Sequence, residues 1–127
     1  MTEGARPHDE GRLAAGIDLF NKGYFFEAHD VWEEIWTADR TPSRKFYQGL
    51  IKIAGGFYHW QLAEYDSGIH LLTAGLEHLV PFAEDHEGLD IARLRRETTA
   101  ELEKIERLEA GTSDSDDVQP PKIHRAP

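Results

Sequence analysis

The chain has 127 residues, no cysteine and a formal net charge of −10, from 24 acidic and 14 basic side chains. That length fits one domain with its own core, and the missing thiols exclude disulfides and thiolate metal sites. The acid excess argues against nucleic acid as a partner, because Lys and Arg must supply affinity for a phosphate backbone.

Residues 1–8 contain Gly4 and Pro7 and no apolar pattern, which predicts a disordered N-terminus. Over 9–21, Leu13, Ile17 and Phe20 share one helical face, with Asp9 as N-cap and Gly23 as C-terminal stop. Residues 24–38 predict a second helix whose apolar face is Phe25, Ala28, Val31, Trp32, Ile35 and Trp36. Joined around Lys22-Gly23, the two should form an antiparallel hairpin. The spacing of Gly23, Phe25 and Ala28 loosely resembles a tetratricopeptide turn, but no repeat of about 34 residues follows.

The stretch 41–62, TPSRKFYQGLIKIAGGFYHWQL, is the expected centre. At about 100° per residue, Phe46, Leu50, Ile53, Phe57 and Trp60 fall on one face, and Tyr47, Ile51, Ala54, Tyr58 and Leu62 on the next. A helix apolar around most of its circumference belongs inside a domain, and this one is too polar and glycine-rich to span a membrane. Thr41 or Ser43 suits its start, with Pro42 in the first turn. Gly49 and Gly56, seven apart, predict the close approach of a neighbouring helix, since an interior glycine otherwise costs roughly 1 kcal/mol. Gln48, Lys52 and His59 form the remaining polar stripe.

A turn over 63–67 precedes a fourth helix, 68–80, with Ile69, Leu72, Leu76, Leu79 and Val80 inward and Pro81 ending it. After a connector over 82–88, Asp90 caps a fifth helix, 91–108, with a narrow stripe of Ile91, Leu94, Thr98, Leu102, Ile105 and Leu108. Residues 111–127 are rich in Ser, Asp and Pro and predict a disordered acidic tail. No segment alternates as a strand does. The expected fold is all-α: a compact bundle of about five helices around a buried central helix, spanning 9–110. No signal-like segment or long apolar run is present, which predicts a soluble cytoplasmic protein with no membrane partner. Having only five lysines (Lys22, Lys45, Lys52, Lys104 and Lys122) also fits a high-salt, halophilic cytoplasm.

The second helix carries Glu27, His29, Asp30, Glu33 and Glu34, with His29 and Glu33 one turn apart. Packing on the central helix brings this face toward Gln48, Lys52 and His59, near Trp36. Three readings stay open. The first is a structural network fixing helix register. The second is a small-ligand pocket between helices lined by Glu27, His29, Trp36, Gln48, Lys52 and His59. The third is a metal or acid–base site, with Glu27, His29, Glu33 and His59 as catalytic candidates and His29, Glu33 and His59 as metal ligands. Neither His-Glu-x-x-His nor Glu-x-x-His occurs, and there is no Gly-x-Ser-x-Gly or glycine-rich phosphate loop. His70, His78 and His86 are expected at the surface or at helix ends. Trp32, Trp36 and Trp60 are expected in the core.

The run Phe20-x-x-Gly23-Tyr24-Phe25-Phe26-Glu27-Ala28-His29-Asp30-x-Trp32-Glu33-x-x-Trp36, with Phe46-x-Gln48-Gly49-Leu50-Ile51-Lys52-x-Ala54 and Phe57-x-His59, resembles the prokaryotic family called domain of unknown function 309. The resemblance covers about 13–108. It implies a small all-helical fold and marks Glu27, His29, Glu33, Trp36, Gln48, Gly49 and His59, without an activity to transfer. Asp30 stands where the family often has Glu. The function expected first is a binding or interaction module with a small ligand or protein partner. The alternative is a metal-dependent or acid–base, hydrolase-like enzyme. No cofactor is required by any motif, and oligomeric state is left open.

Overall fold

A computed structural model describes residues 7–112 and 117–127. Five α-helices follow one another: α1 (Pro7–Asn21), α2 (Phe25–Ala38), α3 (Ser43–Gln61), α4 (Tyr65–Leu79) and α5 (Ile91–Glu109), with one 3-10 turn at His86–Gly88. The fold is all-α. Among the described residues the only β-type pairing is an isolated antiparallel bridge between Leu89 and Arg125. No described helix is long and apolar enough to cross a membrane. The loose end expected over 1–8 lies outside the described residues at 1–6, and α1 already begins at Pro7.

The α1–α2 hairpin forms as its sequence predicts. Gly23 takes a φ of +86°, a backbone state open to glycine, and its N–H and that of Tyr24 turn back to the carbonyls of Phe20 and Leu19. Phe20, Phe25 and Trp32 are then buried together, with Phe20 edge-on to Phe25 at 4.9 Å between centroids.

α3 is the central helix. Phe46, Leu50, Ile53 and Phe57 on one face and Tyr47, Ile51 and Ala54 on the next are all buried. The Thr41 hydroxyl accepts from the Ser43 N–H at 3.2 Å, satisfying a first-turn donor. Leu62 falls beyond the helix end and is half-exposed, because the turn into α4 is tighter than expected: Ala63 adopts a left-handed φ of 59° and α4 starts at Tyr65. Val80, expected inward, is exposed as the residue that closes α4.

α3 and α4 cross antiparallel on glycines. Gly49 and Gly56 on α3 meet Gly75 and Gly68 on α4, and each pair is seven residues apart. A Cβ on Gly75 would lie 3.0 Å from the Gly49 carbonyl oxygen, and one on Gly68 would lie 2.9 Å from that of Gly56. The backbones therefore touch where side chains would normally hold helices apart.

α5 is capped by Asp90, whose carboxylate accepts from the Arg93 N–H at 3.1 Å. Beyond α5 the structure departs at 117–127 from the disordered tail expected over 111–127, of which 113–116 lie outside the described residues. Residues 117–127 pack back on the bundle, with Val118 and Ile123 buried. Asn21 at the end of α1 clasps Ile123, its Oδ1 accepting from the backbone N–H at 2.7 Å and its Nδ2 donating to the carbonyl at 3.0 Å. Glu101 accepts from the Gln119 N–H at 2.7 Å, and the Asp90 N–H donates to the His124 carbonyl at 2.8 Å. Asn21→Ala leaves two backbone groups without their partner and should cost about 1–3 kcal/mol in urea unfolding. An unchanged midpoint would mean that this clasp does not hold the segment.

Candidate functional site

The helical spacing that buries Phe25 and Ala28 puts Phe26, His29 and Glu33 along one flank of α2. This flank borders α3, and α4 closes the far side. The result is a groove of about 340 Å³ lined by Phe26, His29, Ile51, Lys52, Gly55, Tyr58, His59 and Leu71. Its walls are mainly apolar. Phe26 is 47% exposed, stacked at 19° on the His29 ring and 5.3 Å from the Tyr58 ring.

Its polar members are arranged unequally. His29 Nε2 lies 3.2 Å from Glu33 Oε1 one turn on, and Nδ1 lies 3.6 Å from Asp30 Oδ1. That Nδ1 is buried and has no hydrogen-bond partner. His59 Nδ1 lies 2.6 Å from Glu64 Oε1, across the α3–α4 turn. Lys52 is half-buried and forms no hydrogen bond or ion pair among the described residues.

The structure thus brings His29, Lys52 and His59 into one groove, with Glu33 attached through His29. Glu27 is exposed, Gln48 is half-buried, and neither lines the groove. Trp36 also lies elsewhere. The Arg44 guanidinium sits 4.0 Å over its ring, while Arg44 Nε donates to the Trp36 carbonyl at 3.0 Å. For a metal, the donors that gather are His29, Asp30 and Glu33, whose ligating atoms lie within 4.8 Å of one another. His59 is not in that group; its Nδ1 faces Glu64 instead.

A second polar cluster is invisible to helical spacing. At the start of α3, Ser43 Oγ donates to Glu87 Oε1 at 3.3 Å and stands 3.0 Å from His86 Nε2. The Tyr47 hydroxyl donates to the same Glu87 oxygen at 3.2 Å. His86 is wedged between the rings of Phe46 and Phe82, at 4.6 and 4.7 Å. A serine beside a histidine suggests a nucleophile and its base. However, the single serine proton can serve Glu87 or His86 Nε2 but not both, so the carboxylate competes with the histidine for it. Within this cluster the carboxylate bonds Ser43 and Tyr47 rather than the far histidine nitrogen. The cluster pins the connector, where Glu87 holds a left-handed φ of 57°, to α3. No sequence signal joins residues more than forty positions apart in this way.

A larger cavity, about 510 Å³, lies between α5 and the terminal segment. Four of its charged side chains are already matched, Arg93 to Glu97 at 3.0 Å and Lys104 to Glu101 at 3.2 Å. It offers a ligand less than the groove does.

An uncharacterized protein of Aquifex aeolicus (strain VF5) is similar to this chain, 25% identical over 77 residues. The matched region is 60% of this chain and 23% of that protein, so the chain spans less than a quarter of its relative's length. The model of a family described as Domain of unknown function (DUF309) matches residues 13–79, more than half of the chain and the whole of the α2–α4 groove. The chain belongs to this family of domains of unknown function.

Proposed function

We propose that the chain is a binding module that takes a small, largely apolar molecule in the groove between α2, α3 and α4. The observation that supports this reading is an apolar concavity with one open floor position. Phe26, Ile51, Tyr58 and Leu71 form its walls, and Gly55 leaves the space between them unfilled. Binding sites are commonly of this kind, apolar with a few placed polar groups, although about 340 Å³ is near the small end. Covering Phe26 would remove a large apolar side chain from water.

Gly55 provides the test. A Cβ there would meet only Leu71 Cδ1, at 3.4 Å, an ordinary contact. Gly55→Leu should therefore fill the groove while the melting temperature holds or rises, since a helix-interior glycine costs roughly 1 kcal/mol. N-phenyl-1-naphthylamine, a neutral apolar dye, should bind the native chain and lose at least ten-fold in affinity to the variant. No binding to the native chain, or equal binding to both, would remove the reading.

A second reading, a metal or acid–base site, is favoured by the convergence of His29, Asp30 and Glu33. Zinc titration followed by calorimetry, on the native chain and on His29→Ala, decides it. Heat lost with the imidazole supports the site, and identical traces sink it.

A further inference from the structure

We propose that the groove selects a monoanion: a small molecule with an apolar body ending in one carboxylate or sulfonate, with Lys52 as its counter-charge. The inference rests on the groove being a binding site. It adds the charge of the ligand and the residue that reads it.

Lys52 is unlike the ion-paired lysines of the chain. Lys22 is paired with Asp18 at 3.0 Å and Lys104 with Glu101 at 3.2 Å, whereas Lys45 and Lys122 are exposed to water. Lys52 is half-buried beside an apolar wall and makes no ion pair among the described residues. In a chain of net charge −10, an uncompensated ammonium in the main apolar groove is out of keeping with its surroundings. Partial removal from water raises the value of a partner, and a charge-assisted hydrogen bond is about twice as strong as a neutral one.

The flanking carboxylates set the limit to one charge. Glu33 is turned to His29 and Glu64 to His59, and neither lines the groove. Each stands one histidine away from it. A single negative charge is matched by Lys52, and a second would face these carboxylates with no second Lys or Arg in the groove to offset it. The geometry therefore favours a carboxylate or sulfonate over a phosphate dianion, and an anion over a neutral body.

A matched pair of dyes isolates that charge. 8-Anilinonaphthalene-1-sulfonate and N-phenyl-1-naphthylamine share one aromatic body and differ by the sulfonate. The native chain should bind the sulfonate about ten-fold more tightly, the factor that one charge-assisted contact supplies. Lys52→Met keeps the apolar stem and should bring the sulfonate down to the neutral dye's affinity, with the neutral dye unmoved. Lys52→Gln should do the same, and Lys52→Arg should restore the preference. Melting temperatures confirm that each variant is folded. A preference for the sulfonate that survives both Lys52→Met and Lys52→Gln overturns the charge assignment. The groove itself then still stands if Gly55→Leu abolishes both dyes. If Gly55→Leu leaves both dyes bound, the groove reading fails, and the assignment with it.

Discussion

Trp32→Ala is expected to lower stability by about 3–5 kcal/mol, the range for removing a fully enclosed large aromatic side chain. Trp32 has no exposed surface, and its Nε1 donates to the Leu13 carbonyl at 3.3 Å, tying α2 to α1. Its ring fills the space that Gly16 leaves on α1, where a Cβ would overlap Trp32 Nε1, Cε2 and Cδ1. The three nearest atoms to that Cβ all belong to this one side chain. Gly16→Ala should therefore destabilise the native chain and become neutral or stabilising in the Trp32→Ala background, where the clash is gone and helix propensity favours alanine. A double-mutant cycle in urea reads this sign reversal. Simple additivity would show that the indole does not rest on α1 at Gly16.

Ile53→Ala is expected to cost about 2–5 kcal/mol, because Ile53 is 1% exposed at the middle of the helix packed between α2 and α4. It also stands against the glycine crossing. A Cβ on Gly75 would come within 2.7 Å of Ile53 Cγ1, 3.0 Å of the Gly49 carbonyl oxygen and 3.1 Å of the Ile53 N. The first neighbour is a side chain and the others are backbone. Gly75→Ala should cost about 1–3 kcal/mol alone, by overpacking, and Ile53→Ala should relieve only part of that cost. Full relief would mean that the α3 and α4 backbones are not in contact at Gly49 and Gly75. A loss near zero for Ile53→Ala itself would mean that α3 is not the centre of the core.

The two substitutions mark what local order in the sequence determined. Spacing at three and four residues is a property of the helix backbone. It therefore identified α3 as the apolar centre through Phe46, Leu50, Ile53 and Phe57, and the hairpin through Phe20, Gly23 and Phe25. Gly49 and Gly56, seven apart, likewise announced a close helix approach, which α4 supplies with Gly75 and Gly68. At the groove, His29, Lys52 and His59 were legible because each is a polar residue beside an apolar stripe.

What spacing does not contain is the partner of each face. The glycine contacts set how α4 lies on α3, and that placement makes Leu71 a wall and Gly55 a floor; Glu27, Gln48 and Trp36 do not line the groove. The pairing of His59 with Glu64 depends on the left-handed turn at Ala63, not on helix register. Ser43, Tyr47, His86 and Glu87 meet only because the connector folds back on α3. The terminal segment shows the limit most plainly. Val118 and Ile123 are isolated apolar residues in a polar stretch, with no periodicity to reveal a buried face. Their burial depends on a surface built by α1 and α5, and on a clasp from Asn21 that is 102 residues away from Ile123 in the chain. Helices follow from short-range backbone geometry, and contacts between them follow from shape, which exists only after the chain has folded.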